Sequence, residues 1–183
     1  VTAASFSPLC IAPIHIYRGW SILSQAGEAI AQLGRHPLLV VSPQRYQQLE
    51  QEWQAIARSH DLTFSVGTFH GECSESTLAQ LRQEAQGSDL IIGIGGGKAL
   101  DTAKLLGYQL HLPVVTIPTS AATCAAWTAL SNIYTEAGAF AYDVALQRCP
   151  DLLLLDYALI QTAPKRTLLA GIGMLLPSGT KLQ

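Results

Sequence analysis

The sequence predicts an α/β domain built on a parallel sheet with helices on both faces, and three observations carry that prediction. Short apolar runs alternate with longer stretches of helical periodicity from Pro13 to Ala163. The runs Leu38-Leu-Val-Val-Ser42, Asp89-Leu-Ile-Ile-Gly-Ile94 and Leu152-Leu-Leu-Leu155 lack polar alternation, as strands covered on both faces require. Gly95, Gly96 and Gly97 then turn the central run directly into a helical pattern from Lys98 to Leu110. In such a sheet, ligands bind at the carboxyl ends of the strands.

The elements follow in order. Pro13 to Tyr17 reads as a strand, and Arg18-Gly19 turns into a helix ending near Gly34. His36-Pro37 opens the strand Leu38 to Ser42, and Pro43 stands where a helix can begin. Gln44 to Ser59 is helical, with Tyr46, Leu49, Trp53 and Ile56 forming a core stripe. Leu62 to Val66 is a third strand, Gly67 to Glu75 a polar loop, and Ser76 to Gln86 a helix closed by Gly87. After the central turn and helix, Pro113 to Ile117 is a strand, and Pro118 to Trp127 a loop of small and hydroxyl residues. Ile133 to Ala145 reads as an antiparallel pair turning at Glu136-Ala-Gly138. Leu152 to Leu155 ends in Asp156, and Tyr157 to Ala163 is a short helix stopped before Pro164.

At 183 residues with 49% hydrophobic content, the chain has core material for one domain or slightly more. A net charge of -2 gives no electrostatic case for nucleic acid or an anionic membrane. Leu112 to Tyr134 is uncharged, but Pro113, Pro118 and its many Ser, Thr and Asn residues argue for strand and loop over a membrane helix. Cys10, Cys73, Cys124 and Cys149 form no CxxC pair, and no signal peptide is evident, so reduced thiols in the cytoplasm are expected. His60 and His70 have no ligand partner at a metal-binding spacing and are expected at the surface.

The glycine triplet carries the chemistry. Three backbone amides without side chains, at the positive end of a helix dipole, suit a phosphate; the alternative is a tight turn chosen for packing. A Walker A loop would carry Gly at the place of Ile92 and Ser or Thr at that of Ala99. The common dinucleotide fingerprint fails at Lys98 when read from Gly93, and at Leu100 when read from Gly95. Lys98, Asp101 and Lys104 follow at three-residue spacing, near where a cofactor's phosphates and sugars would lie or as a solvated charged face. At the end of the second strand, Ser42 and Arg45 replace the acidic residue that often holds an adenine ribose. That leaves NADP open beside NAD, the alternative being that Arg45 is an ordinary exposed helix residue.

Linked motifs run through the chain: Gly-Gly-Gly-Lys98-x-x-Asp101-Thr-Ala-Lys104, Pro113-Val-Val-Thr-Ile-Pro-Thr119-Ser-Ala-Ala-Thr, Ala129-Leu-Ser-Asn-Ile-Tyr134, Pro150-Asp-Leu-Leu-Leu-Leu-Asp156 and Ala163-Pro. From near residue 12 to Gly173 they resemble the glycerol dehydrogenase branch of the iron-containing alcohol dehydrogenase superfamily. Tyr17 and Gly19 roughly reproduce a further tyrosine and glycine of that pattern. The resemblance implies a Rossmann-like domain over residues 1–164 that binds NAD, or NADP, and a crossing from 165 toward an all-helical domain. It implies cofactor contacts at Gly95, Gly96, Gly97, Lys98 and Asp101, with Thr119 and Ala122 on the adenosine side. Thr128, Leu130 and Tyr134 fall on the nicotinamide side, and Cys124 falls where glycerol dehydrogenases carry an aspartate that holds the polyol. A thiol there loses a strong charged acceptor and makes glycerol a less secure substrate; the plain alternative is a small buried residue.

The implied activity is metal-dependent oxidation of a polyol or secondary alcohol, with a zinc or iron ion held by an aspartate and two histidines. This chain has Met174 where the aspartate falls and no histidine after His111, so no metal is expected to bind it, and alone it is expected to be inactive. A non-catalytic nucleotide-binding module and a dehydroquinate synthase-like lyase are the alternatives, and Ala-Leu-Ser-Asn-Ile-Tyr134 fits the dehydrogenases better than the lyase. The face meant for a second domain would be exposed, which makes a homo-oligomer an option. Back-translation suggests a frameshift over 174–183: loss of one base converts a family-like Asp-Ala-Thr-Ala-Lys-Trp-Tyr-Glu-Ala into Met-Leu-Leu-Pro-Ser-Gly-Thr-Lys. Sequencing the gene tests this. A downstream open frame encoding the helical domain is expected, and its absence removes the idea.

Overall fold

The computed structural model describes residues 10–175, with side chains to 173, so the tail expected to be frameshifted lies almost wholly outside the described residues. Six strands form one parallel sheet: β1 (His15–Gly19), β2 (Pro37–Val41), β3 (Ser65–Thr68), β4 (Leu90–Gly95), β5 (Val114–Pro118) and, after a separate hairpin, β8 (Leu152–Asp156). Their spatial order is β1-β8-β5-β4-β2-β3. The hairpin pairs β6 (Leu130–Tyr134) with β7 (Phe140–Ala145) antiparallel.

The period of two along the strands separates two cores. Leu39, Val41, Leu90, Ile92, Ile94, Val115 and Ile117 face one side, against α1 (Gly27–Ala31), α2 (Pro43–His60) and Leu159 of α5 (Tyr157–Gln161). Leu38, Val40 and Ile91 face the other, against α3 (Glu75–Glu84), α4 (Gly97–Leu110) and Ile133 of the hairpin. Leu49, Trp53 and Ile56 are buried along α2, with Tyr46 packed beside them, as their spacing predicts. A last helix, α6 (Lys165–Leu175), follows Pro164.

Three elements differ from the sequence reading, the hairpin only in starting at Leu130 and not at Ile133. The third strand is Ser65–Thr68, not Leu62–Val66. Asp61 ends α2 in the left-handed conformation (φ 53°), and the Leu62 amide reaches back to the Ala57 carbonyl at 3.0 Å. Leu62 is thus the apolar residue of a helix stop, and Phe64 packs beside Trp53 with ring centroids 6.4 Å apart. The helix expected from Arg18 to Gly34 is a 3₁₀ turn at Leu23–Gln25 followed by the short α1. Buried Asp156 accepts hydrogen bonds from the amides of Ser21 (3.1 Å) and Leu23 (3.0 Å), and Ser21 has a φ of 51°. That clamp breaks the helix before it starts. His60, expected at the surface, is half-buried against Gly27, where a Cβ would come within 2.1 Å of its ring; His70 is exposed.

The order reverses between β2 and β4: from β2 the chain moves outward to β3, whereas from β4 it moves the other way to β5. In sheets of this kind the ligand crevice lies beyond the carboxyl ends at such a reversal. Here that places Ser42 on one side and Gly95 on the other.

Cys73 is buried in the second core, and burial pushes its thiol from an ordinary 9.0 up to about 11. Its unfolded form therefore ionises first, so stability is full below about pH 9 and falls between about 9 and 11. Urea titrations across that interval are expected to show a loss of roughly 2 kcal/mol from this group, with a shallower decline in Cys73→Ala. Equal slopes in the two proteins contradict this assignment.

Candidate functional site

The site grows from the junction of β4 and α4. Gly93 lets the helix lie close on the strand, since a Cβ there would stand 2.5 Å from the Ala103 Cβ. Gly95 closes the strand at a φ of 153°, in the region that favours glycine. Gly96 is the N-cap of α4 in extended geometry, and no side chain caps the helix. The first-turn amides of a helix have no partner within it. Side chains cap three other helices, Ser42 on α2, Ser74 on α3 and Asp156 on α5, whereas the short α1, like α4, has none. At Gly96 an added Cβ would meet nothing within 4 Å, so packing does not require glycine there. An anion could approach these amides from the crevice side.

The loop after β5 wraps this turn. The Thr119 amide donates to the Gly95 carbonyl at 2.9 Å, and Thr119 is buried. Thr123 lies over Gly97, 3.3 Å from where a Cβ would be. Ser120 accepts from the Ala122 amide at 3.2 Å, and α6 leans on the same loop, where a Cβ on Gly171 would come 2.0 Å from the Ala121 carbonyl oxygen. Cys124 is exposed and lines a cavity of about 290 Å³ with Ser120, Thr123, Trp127 and Leu155. The thiol is therefore an open pocket wall and not a buried hydrophobe.

Lys98 stands at the first turn of α4. Its ammonium donates to both carboxylate oxygens of Glu72 at 2.7 and 2.6 Å, and lies 4.7 Å from the centroid of the Tyr134 ring. Both partners are partly exposed, so the pair is in reach of a ligand. Glu72 was missed by the sequence reading; it lies in the polar loop before α3, and no spacing ties it to Lys98.

Asp101 and Lys104 do not form a solvated face. Both are buried, 3.0 Å apart, on the side of α4 that meets the hairpin. Asp101 accepts from the Asn132 amide at 3.3 Å, and Lys104 donates to the Thr128 carbonyl at 3.1 Å and to the Leu130 carbonyl. Burial pushes the Asp101 carboxyl up and the Lys104 ammonium down, each against the attraction of the other. Thr128 and Leu130 are thus joined to the glycine turn through one helix. Tyr134 donates its amide to the Cys73 carbonyl at 2.8 Å.

Across the crevice, Ser42 accepts from the Arg45 amide at 3.4 Å, and Arg45 donates to the Thr162 hydroxyl at 3.3 Å. Among the described residues no three His, Cys, Asp or Glu side chains gather into a group that could hold a metal ion. No described helix is long and apolar enough to cross a membrane.

The pattern that defines iron-containing alcohol dehydrogenases matches residues 13–157. The chain belongs to that family. It is 50% identical over 167 residues to an uncharacterized oxidoreductase of Synechocystis, covering 90% of this chain and 43% of that protein. It is 34% identical over 158 residues to a glycerol dehydrogenase of Escherichia coli, covering 85% of this chain and 43% of the relative. The crystal structure of a probable glycerol dehydrogenase from Sinorhizobium meliloti superposes with a TM-score of 0.82 at 31% identity, over 91% of this chain and 46% of that one. The chain therefore spans less than half the length of these relatives, and its fold is that of the N-terminal domain of iron-containing alcohol dehydrogenases.

Proposed function

We propose that the chain is the nicotinamide dinucleotide-binding domain of an oxidoreductase of the glycerol or polyol dehydrogenase type. The observation that carries this reading is the uncapped N-terminus of α4, opening at the sheet's reversal point. The amides of Gly95, Gly96 and Gly97 and the ammonium of Lys98 bind the diphosphate, and Asp101 braces the helix beneath them. Thr119 and Ala122 border the adenosine side, while Thr128, Leu130 and Tyr134 border the nicotinamide side. NAD is the first choice of cofactor, because Arg45, the residue that would favour NADP, is engaged with Thr162.

A bound nicotinamide accepts hydride from an alcohol carbon. In this reading Thr128, Leu130 and Tyr134 orient that ring, and a small alcohol enters the mostly apolar cavity lined by Ser120, Thr123 and Cys124. The described residues supply no donor set for the family's metal, so no step is assigned to it. In this reading residues 1–164 are the nucleotide domain, and the segment from Lys165 begins the crossing to a further domain of the kind the longer relatives have room for. The alternative reading is a nucleotide-binding module without catalysis.

Gly96→Ser separates binding from packing. Serine is a preferred N-cap, so the variant is expected to keep its stability or gain roughly a few tenths of a kcal/mol. By taking the amide of Lys98 or Ala99 and placing a side chain in the mouth of the turn, it is expected to weaken NAD binding at least about tenfold, read by calorimetry. Unchanged NAD affinity rejects the phosphate role. For catalysis, the purified 183-residue chain is expected to give no steady NADH or NADPH from glycerol or other vicinal diols. Sustained turnover overturns that expectation, and activity recovered on adding a separately expressed helical domain favours the dehydrogenase over the module.

A further inference from the structure

The Lys104 ammonium is spent entirely inside the molecule. It has three donors. Two of them go to the Thr128 carbonyl at 3.1 Å and the Leu130 carbonyl, and the Asp101 carboxylate stands 3.0 Å away as an ion pair. Only 2% of the side chain is exposed. A buried ion pair of this kind is an expensive way to fill space, because apolar residues of similar volume often stabilise a fold as well or better. What such a pair supplies is a fixed geometry, and here the fixed object is the entry to β6.

That entry has two faces. Ser131 and Ile133 point inward and are buried, while Leu130 is 41% exposed and Thr128 is half-buried. Lys104 holds the strand by backbone carbonyls at 128 and 130, and Asp101 holds it by the Asn132 amide, so the Leu130 side chain is left free outward while the Thr128 hydroxyl donates to the Leu130 carbonyl at 3.4 Å. The same helix begins at the glycine turn, and Lys98 at its start meets Tyr134 at the far end of β6. One rigid helix therefore sets the distance between the phosphate turn and the outer face of the strand.

Building on the nucleotide reading above, we propose that Lys104 is a positioning residue for the nicotinamide half of the cofactor: from beneath, it fixes where Thr128 and Leu130 meet that ring. It touches no ligand itself. Its removal should cost affinity only for ligands that reach the strand, and the diphosphate turn should be spared.

The test compares NAD with adenosine diphosphate ribose, which keeps the diphosphate but lacks nicotinamide. Calorimetry on the full chain would be run for wild type and Lys104→Met, and for Lys104→Gln, which keeps a neutral donor inside the helix, should the first variant unfold. NAD affinity is expected to fall roughly tenfold or more, the scale of a lost charged hydrogen bond, with adenosine diphosphate ribose within about twofold. Parallel losses for both ligands would make Lys104 a general structural residue and overturn the proposal, as would no change for either. Equal affinity of wild type for the two ligands would also overturn it while leaving the phosphate turn intact. Wild type binding neither would remove the nucleotide reading and this inference together.

Discussion

The close approach of α4 to β4 is the constraint on which the rest depends. It exists because Gly93 has no Cβ to meet Ala103, and because Gly95 adopts a conformation that other residues rarely take. The helix consequently starts at the sheet's carboxyl edge with its amides bare. Three segments at the crevice are tied to the β4–α4 junction: the loop after β5 through the Thr119 amide on Gly95, the hairpin through Lys104 and Asp101, and the loop before α3 through Glu72 and Lys98. A polar ligand at the turn would thus sense one body and not a set of loops.

Most of the sheet was legible because its strands are buried on both faces and therefore apolar without alternation. The hairpin was legible from its turn, and the α2 stripe from its spacing. The failures have physical causes. Leu62 and Phe64 look like strand residues, yet a left-handed Asp61 makes Leu62 the end of a helix stop. The first helix is broken by Asp156, a residue 135 positions away from Ser21, and no local signal reports such a clamp.

The site was legible in part. The glycine turn and the small-residue loop sit together, as their sequence suggested, at the carboxyl edge. Spacing alone could not tell a solvated charged face from a buried pair, because Lys98, Asp101 and Lys104 share a three-residue period that α4 splits between crevice and core. Glu72 was out of reach for the same reason in another form: an ion pair between elements leaves no periodic trace. Membership in the iron-containing alcohol dehydrogenase family agrees with the fold, and Cys124 stands as an exposed thiol in the wall of the loop cavity.

The central claim is that bare amides ahead of α4 receive a nucleotide's diphosphate. Nuclear magnetic resonance of the chain labelled with ¹⁵N-glycine, titrated with NAD, addresses those atoms directly. Saturable shifts largest at Gly95, Gly96 and Gly97, with Gly34, Gly71 and Gly87 still, are the predicted result. Shifts centred on other glycines, or none at millimolar nucleotide, would contradict it.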